Sequence, residues 1–406
     1  MEDIFMPDQS KLITVPFGSL GIIAMNSCEK MGADIDKYIV RWRKERDMLR
    51  SDTPIVTGYE KDTYLLDADC PRFASGEAKG MLRSSVRGTD LYILVDVMNS
   101  SIEYNLGGRM VPMSPDDYYA DLKRIIAASA GKARRINVIM PFLYESRQHK
   151  RSKRESLDCA IALQELVAMG VSNIITFDAH DPRVQNAIPQ SGFESLMPTY
   201  QFIKCLLRAV PDLSLDNEHM MVISPDEGAM HRAIYFANHF GVDVGMFYKR
   251  RDYSRIVNGK NPIVAHEFLG DSVEGKDVII IDDMIASGES MLDVARELKR
   301  RKAKRVFCCA TFGLFTAGLD VFDKAYANGE VDMVITTNVT HQSPELYERS
   351  WYKSADLTKY IAILIDHLNH DASISDLLDP TERIQARINE YKATHTISDN
   401  YKSSKE

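Results

Sequence analysis

The sequence predicts an α/β protein whose mostly parallel sheets are covered by helices on both faces. Short apolar runs alternate with helix-like segments through most of the 406 residues. The runs are apolar on both faces, as are strands buried between two layers of helices. The chain is 45% hydrophobic and 27% charged, so it can bury more than one core and still dissolve.

Most predicted strands are separated by enough sequence for a helix. In chain order they are LGIIAM (20–25), LYILVDV (91–97), INVIMPF (136–142), NIITFD (173–178), MMVISPD (220–226), DVGMFYK (243–249), DVIIIDD (277–283), RVFCCATFG (305–313) and DMVITTN (332–338). After the first strand, apolar residues recur at helical spacing on one face, namely Met31, Ile35, Tyr38, Ile39 and Trp42. Another helix, residues 158–170, ends at Gly170. Residues 43–72 and 107–117 are predicted to be loops or insertions.

A polar segment that contains a proline, residues 208–219, is the predicted boundary between two α/β halves. Residues 1–207 are therefore expected to form an N-terminal domain, and residues 208–370 a C-terminal domain. Residues 371–406 are expected to form a last helix and a tail, because Pro380 fits the first position of a helix.

Composition excludes several classes of function. The net charge of −8 argues against a nucleic-acid partner, and no apolar run approaches the roughly 18 residues of a membrane span. The six cysteines contain no C-x-x-C pair, so neither a zinc site nor a disulfide framework is predicted. The acidic N-terminal segment lacks an apolar secretion region, and a cytoplasmic location is expected.

The segment VIIIDDMIASGESMLDVARELK (278–299) joins a strand to a helix through two acids and several small residues. Ligands of open α/β sheets bind at the carboxyl ends of strands, where Asp282 and Asp283 are expected. The start of a helix suits a phosphate, and two carboxylates suit vicinal hydroxyls and a hard cation. The segment predicts a ribose-phosphate site. The alternative is an acidic strand end followed by a capped helix.

This segment resembles the phosphoribosyl-pyrophosphate loop of phosphoribosyltransferases and of ribose-phosphate pyrophosphokinases. Five further segments resemble the second family in its own order, namely RFASGEAKGMLRSSVRGTDLYIL (72–94), INVIMPFLYESRQHKR (136–151), ITFDAHD (175–181), VISPDEGAMHRA (222–233) and MFYKRRD (246–252). The resemblance covers most of residues 72–340. It implies two phosphoribosyltransferase-type domains, each a mostly parallel sheet with helices on both faces.

The resemblance also implies an activity. A ribose-phosphate diphosphokinase transfers the diphosphoryl group of ATP to the 1-hydroxyl of ribose 5-phosphate, which gives phosphoribosyl pyrophosphate and AMP. The implied partners are ATP, ribose 5-phosphate and further copies of the chain, in a homo-oligomer built from dimers up to hexamers, and the implied cofactor is Mg²⁺. The alternatives are a diphosphotransferase with a modified acceptor and a non-catalytic regulatory homologue.

The resemblance also implies roles for the residues of this sequence that match the family's motifs. The implied catalytic residues are His180 and, on a mobile loop, Lys249 and Arg251. The implied ATP-binding residues are Arg147 and Gln148 together with Phe73 and Glu77 from a neighbouring subunit. The implied ribose-phosphate residues are Asp282, Asp283, Ser287, Gly288 and Ser290. The implied metal ligands are His180 and Asp226. Taken singly, the basic segment 248–255 would be a solvated loop, and segment 147–155 a similar loop or an anion- or RNA-binding patch. His180 alone would be a structural histidine and Phe73 a core residue.

The chain departs from the family pattern at four positions. Ala286 replaces an acid that helps to position the ribose, and Glu289 adds a carboxylate near the expected phosphate. Ser75 and His149 replace acids in the two ATP-binding segments. These changes put both the acceptor and the selectivity for purine nucleotides in question.

Overall fold

The computed structural model describes residues 12, 14–49, 58–129, 131–251 and 263–403. The chain divides into two compact units. The first unit comprises Met1–Pro198, Asn338–His341 and Asp356–Asp379, and the second comprises Thr199–Thr337, Gln342–Ala355 and Pro380–Glu406. Within the described ranges, no helix combines the length and the apolar character that crossing a bilayer requires.

The strands are β1 (Ser19–Ala24), β2 (Ala68–Asp69), β3 (Met81–Leu82), β4 (Thr89–Leu94), β5 (Glu103–Leu106), β6 (Arg109–Pro112), β7 (Arg135–Ile139), β8 (Asn173–Phe177), β9 (Gly192–Leu196), β10 (Met220–Ser224), β11 (Val244–Arg251), β12 (Ile263–Leu269), β13 (Asp277–Ile285), β14 (Arg305–Gly313), β15 (Met333–Thr337) and β16 (Tyr352–Ala355). The α-helices are α1 (Glu29–Leu49), α2 (Pro115–Ala128), α3 (Asp158–Ala168), α4 (Thr199–Ala209), α5 (Met230–Phe240), α6 (Glu289–Arg300), α7 (Asp320–Ala327), α8 (Pro344–Tyr347), α9 (Thr358–Asn369), α10 (Ser375–Leu378) and α11 (Thr381–Ser403).

The first unit contains a five-stranded sheet in the order β1-β4-β7-β8-β9. All its neighbouring strands pair in parallel. Every residue of β4 is buried, as expected for a strand covered on both faces. The predicted parallel α/β architecture is confirmed here, although the four predicted strands of this unit end one to three residues earlier than expected.

The second unit contains a seven-stranded sheet in the order β12-β11-β10-β13-β14-β15-β16. Its strands are parallel except for the antiparallel pair of β11 and β12. The helix α6 buries an apolar face against this sheet, comprising Met291, Leu292, Val294, Ala295 and Leu298. The mostly parallel architecture predicted for this half is confirmed as well.

The units divide the chain differently from the expected boundaries at residues 207 and 370. The helix α4 belongs to the second unit, because Phe202, Ile203 and Leu206 join the core that contains β10 and β13 residues. The helix α9 returns to the first unit, and α11 buries Ile384 and Ile388 in the second. The division follows from apolar helix faces that are distant in sequence and pack in one core, and not from the polar segment 208–219.

A buried ion cluster joins α9 to α1 within the first unit. Arg43 donates to Asp366 Oδ1 from Nη2 at 2.8 Å and to Asn369 Oδ1 at 2.7 Å, and Arg46 pairs with the other Asp366 oxygen. Burial opposes ionisation of Asp366, but the two guanidinium groups hold its pKa below the ordinary value. Since a buried charge is costly without its partner, α1 depends on a helix encoded more than three hundred residues later.

Two segments predicted to be loops are partly ordered elements. The helix α1 continues to Leu49, so the first part of residues 43–72 is helical. Within residues 107–117, β6 pairs with β5 in a hairpin, whose turn residues Gly107 and Gly108 have φ of 57° and 87°. Positive φ at both positions is typical of a two-residue hairpin turn. Ser114 then caps α2 and accepts from the Asp117 N–H.

Candidate functional site

The order of strands in the second sheet reverses between β10 and β13. From β10 the chain continues to β11 and β12 on one side, whereas from β13 it continues to β14, β15 and β16 on the other. Ligands of open α/β sheets bind outside the carboxyl ends of strands at such a reversal. Asp226 follows β10, and Asp282 and Asp283 lie near the end of β13. The structure brings these three predicted acids within electrostatic reach of one another.

Asp283 is buried and Asp282 is partly buried, and their two carboxylates repel each other. Burial, the adjacent Asp283 and the more distant Asp226 raise the pKa of Asp282 well above its ordinary value. The Asp283 N–H donates to Asp282 Oδ1 at 2.8 Å. A guanidinium nitrogen of the buried Arg232 lies 3.8 Å from Asp283 Oδ2. Ligand hydroxyls or a cation would relieve the remaining repulsion between the carboxylates.

The loop after β13 depends on a glycine at its end. Gly288 precedes α6 and has φ of 91°, a left-handed conformation that favours glycine. A Cβ atom at this position would lie 2.4 Å from Cε2 of Phe322. Both the backbone conformation and the packing therefore exclude a side chain. The first N–H groups of α6, which lack partners within the helix, are suitable donors to an anion.

The predicted hydroxyl groups and the unexpected carboxylate lie at this same helix start. Ser287 Oγ accepts from the Glu289 N–H at 3.4 Å, and the side chains of Glu289 and Ser290 are exposed. Glu289 is the first residue of α6, where the helix dipole favours a negative charge. Its exposed carboxylate thus stabilises the helix start and would compete there with a bound phosphate.

Asp226 is held by the loop that leads into α5. Its Oδ1 accepts from the N–H groups of Gly228 and Ala229 at 2.9 and 3.3 Å. The Ser224 hydroxyl donates to the Asp226 carbonyl at 2.7 Å. These bonds fix the orientation of the Asp226 carboxylate at the end of β10.

The basic segment predicted to lie on a mobile loop begins as a strand. Lys249 and Arg251 belong to β11, where Lys249 is paired with His266 and Arg251 with Ile263 of β12. The register shifts between Arg250 and Arg251, and such bulges are frequent beside active sites. The side chains of Lys249 and Arg251, and all of residues 252–262, lie outside the described residues. Their catalytic role stays a prediction.

The first unit places the predicted histidine just beyond the carboxyl end of β8. The ring of the partly buried His180 lies 5.2 Å, between centroids, from that of His149. The buried Asp178 has φ of 40°, a costly conformation that recurs at ligand sites. His149 Nε2 lies 3.6 Å from Asp181 Oδ2, and hydrogen bonds from Arg183 lower the pKa of Asp181 to about 2.

His149 stands where the family segment carries an acid. Burial and then the neighbouring His180 lower the pKa of His149, which favours a neutral imidazole near pH 7. A neutral ring in place of a carboxylate removes one negative charge from this part of the first unit.

The remaining ATP-loop residues lie between β7 and α3. Arg147 is exposed. The Gln148 side-chain amide donates to the carbonyls of Ser156 and Lys150 at 2.8 and 3.3 Å. Gln148 therefore closes its own loop, and a contact with adenine would require at least one of these bonds to be exchanged.

Phe73 and Glu77 lie on a short turn between β2 and β3. The Phe73 N–H donates to the Glu77 carbonyl at 2.8 Å, and the Phe73 side chain is 54% exposed. Ser75, which replaces the family acid, donates from its hydroxyl to Glu77 Oε2 at 2.8 Å. Phe73 is thus not a core residue of this chain, and Ser75 orients the neighbouring Glu77 carboxylate.

Metal binding was predicted for His180 and Asp226, which belong to the first and the second unit respectively. Among the side chains that the structure describes, no three His, Cys, Asp or Glu residues are grouped so that they can hold a metal ion. Magnesium commonly takes one or two protein ligands and completes its shell with water and substrate phosphates. The role of both residues stays a prediction.

Two residues near these strand ends were not singled out from the sequence. Arg232 lies within residues 222–233, which resemble a family motif, and that resemblance could have indicated its role. Asp96 follows β4 and accepts from the N–H groups of Met98 and His341 at 2.9 and 2.6 Å. Burial raises the pKa of Asp96 to about 7. An acid at the end of an apolar run was the only sequence signal for Asp96.

Comparisons with known proteins agree with this geometry. The model of the N-terminal domain of ribose phosphate pyrophosphokinase matches residues 20–170, and that of the phosphoribosyl transferase domain matches residues 202–349. A ribose-phosphate pyrophosphokinase from Vibrio parahaemolyticus is 30% identical over 317 residues, which cover 77% of this chain and 91% of that protein. One from Aquifex aeolicus is 26% identical over 318 residues, with the same two coverages, 77% and 91%. The crystal structure of phosphoribosylpyrophosphate synthetase from Mycobacterium smegmatis has the same fold, with a TM-score of 0.68 and 20% identity over 87% of this chain and 100% of that chain.

Proposed function

Because the chain belongs to the ribose-phosphate pyrophosphokinase family, we propose that it is a ribose-phosphate diphosphokinase. The 1-hydroxyl oxygen of ribose 5-phosphate attacks the β-phosphorus of ATP. The bond from that phosphorus to the α,β-bridging oxygen breaks, and AMP leaves. The products are phosphoribosyl pyrophosphate and AMP.

The arrangement at the end of β13 carries this proposal. Asp282 and Asp283 lie at the reversal of strand order, and they bind the 2- and 3-hydroxyls of the ribose. The N–H groups at the start of α6 and the hydroxyls of Ser287 and Ser290 bind the 5-phosphate. Gly288 lets the chain turn sharply between these two parts of the ligand. Arg232 neutralises part of the charge of Asp283.

Nucleotide binding is assigned to residues of the first unit. Arg147 and Gln148 bind ATP, and Phe73 and Glu77 complete the adenine pocket of a neighbouring copy. Cations at Lys249 and Arg251 stabilise the negative charge that the moving group carries in the transition state, where the protein acts mainly by positioning and electrostatics.

ATP is proposed to bind as its Mg²⁺ complex. When bound, Mg²⁺ would offset part of the negative charge of the phosphate oxygens. His180 of the first unit and Asp226 of the second are each proposed as metal ligands. The hydrogen bonds to Asp226 Oδ1 keep that carboxylate in place before the nucleotide arrives.

The assembly and the location complete the proposal. Pockets shared between subunits require at least a dimer, and hexamers can be built from such dimers. All six cysteines are free thiols, which agrees with a reducing compartment such as the cytoplasm, where ATP is also available.

An assay of AMP release tests the function. The protein is incubated with Mg²⁺, ATP and ribose 5-phosphate, and AMP and the 1-diphosphate product are quantified together. AMP that forms only with this sugar, in equal amount to the diphosphate, supports the proposal. ADP in place of AMP would show transfer of one phosphoryl group and contradict it.

The same assay separates the alternatives. AMP that requires a larger 5-phosphorylated ribosyl compound indicates the modified acceptor that Ala286 and Glu289 suggest, and no AMP with any acceptor indicates the regulatory homologue. The variant Asp283→Asn should lose activity. Asp293→Asn is a matched control, because Asp293 is an exposed acid of α6 that pairs with Arg296.

A further inference from the structure

The hairpin of β5 and β6 lies in a part of the sequence that none of the family-like segments covers. It connects β4 to α2 and spans residues 103–112. Most of its side chains are exposed, so it contributes little to the core of the first unit. The Tyr104 hydroxyl donates to Asp117 Oδ1 of α2 at 3.5 Å, and the hairpin also contacts the turn that carries Phe73 and Glu77.

One edge of the hairpin packs on the backbone of that turn. The Gly107 N–H donates to the Ala74 carbonyl at 3.0 Å. A Cβ atom at Gly76 would lie 2.6 Å from Cδ1 of Leu106, so the Leu106 side chain lies directly against the Gly76 backbone. Gly76 has φ of 91°. The turn therefore combines a left-handed glycine with close contact to the hairpin, and each favours glycine at this position.

Arg72 links the same turn to the hairpin and to α2. Its guanidinium carbon lies 4.5 Å from the centre of the Tyr104 ring, within the range of a cation–π contact. Its two terminal nitrogens donate to the Gly76 carbonyl at 3.3 Å and to Asp121 Oδ2 at 2.8 Å. The Arg72 side chain is only 9% exposed. It is thus a bridge between the turn and two other elements.

The turn is closed by two backbone hydrogen bonds, from Phe73 N–H to Glu77 and from Gly76 N–H to Phe73, and by the bond from Ser75 to Glu77. A further bond, from Lys79 N–H to the Pro71 carbonyl at 3.3 Å, lies at its base, and its side chains are largely exposed. Exposed turns with so few internal contacts open easily. The contacts of Tyr104, Leu106 and Gly107 add to these bonds and restrict the geometry of Phe73 and Glu77.

We propose that the β5–β6 hairpin is a positioning element for adenine-nucleotide recognition, because it braces the turn that carries Phe73 and Glu77. This inference rests on the proposed function of those two residues. Tyr104 and Leu106 act through the turn and do not themselves touch the nucleotide.

The variants Tyr104→Ala and Leu106→Ala test this bracing of the turn by the hairpin. Each should raise the KM for ATP about tenfold, with a kcat within about twofold and an unchanged KM for ribose 5-phosphate. Tyr104→Phe keeps the ring under the guanidinium and should restore the KM for ATP. Equal loss with Tyr104→Phe, or a change in kcat alone, would overturn the inference.

Met110→Ala is the matched control. Met110 is 59% exposed and is paired with Asn105. Since paired residues share a face and successive residues alternate, Met110 lies on the face opposite to Tyr104 and Leu106. Its truncation should leave the KM for ATP unchanged. A rise equal to that of Tyr104→Ala would show a general effect of disturbing the hairpin and would contradict the brace.

A binding measurement separates this inference from the proposed function. The probe is an ATP analogue with a methylene bridge between the α- and β-phosphates, which cannot undergo the transfer. Calorimetry should show weaker binding to Tyr104→Ala, and hydrogen exchange of the unliganded variant should show faster exchange at Gly76. If the unaltered chain binds the analogue but releases no AMP from ATP, the proposed diphosphokinase activity is refuted. The comparison of analogue binding between the two proteins still tests the positioning role of the hairpin. Equal affinity and equal exchange in both proteins would refute the brace alone.

Discussion

Replacement of Gly288 by alanine should destabilise the second unit and impair binding of the sugar phosphate. A non-glycine residue in the left-handed region costs about 1–2 kcal/mol. The new methyl group would also lie 2.4 Å from Cε2 and 2.6 Å from Cζ of Phe322, and overpacking of a core costs about 1–3 kcal/mol. The free energy of unfolding should therefore fall by roughly 2–5 kcal/mol.

Two companion variants separate the two contributions. Gly329 also has a positive φ, 70°, but no heavy atom lies within 4 Å of its expected Cβ, so Gly329→Ala should cost only the conformational part. Phe322→Leu removes the ring atoms that the methyl group would meet. In that background Gly288→Ala should cost about 1–3 kcal/mol less than in the original chain.

The measurements are equilibrium denaturation of each variant and the KM for ribose 5-phosphate. The KM should rise by at least tenfold for Gly288→Ala, because the amide groups that meet the phosphate are displaced. A loss of stability for Gly288→Ala no larger than for Gly329→Ala would refute the steric part of this reasoning. An unchanged KM would remove the helix start from the phosphate site.

Three further results are expected. Lys249→Ala should reduce kcat by roughly 10²–10⁴ while the affinity for ATP, measured by calorimetry, largely survives; an unchanged kcat would remove this strand end from the reaction. Arg232→Met should raise the KM for ribose 5-phosphate about tenfold and lower stability by roughly 2–4 kcal/mol, because Asp283 loses its buried partner, and Arg232→Lys should restore part of both. The pKa of Asp96 in the folded state, about 7, lies above its ordinary value of 3.8. Between these two values the folded state retains a proton that the unfolded chain releases. The free energy of unfolding should therefore fall as pH rises from about 4 to 7. Denaturation at pH 5 and 7.5 should show a loss of up to about 3 kcal/mol in the original chain that is absent in Asp96→Asn; the same loss in both would assign it to other groups.

The sequence predicts the central strands well because their local pattern and their final environment agree. β14 spans the predicted residues 305–313, and burial on both faces explains its continuous apolar run. The edge strands β9 and β16 were missed, since strands such as GFESL carry polar residues that only a neighbouring strand can order. The hairpin before α2 was missed although Gly107 and Gly108 marked its turn.

The residues of the candidate site show the same difference between local and non-local signals. Asp282, Asp283 and Gly288 were predicted as site residues because the sequence signal for them lies in one continuous segment. The contact between Arg232 and Asp283 was not predicted, because the two residues are 51 positions apart (283 − 232) and only the fold, in which β10 pairs with β13, brings them together. Likewise Gln148 was assigned to adenine, and only the fold reveals that its amide closes the loop.

Because α9 belongs to the first unit, that unit cannot be completed until late in synthesis on the ribosome. When residue 198 leaves the exit tunnel, Arg43 and Arg46 still lack Asp366. At 5–20 residues per second, the missing helix follows on the order of ten seconds or more later. During that interval the two guanidinium groups lack the carboxylate that neutralises them in the folded unit, so the complete ion cluster forms only after residue 366 has been synthesised.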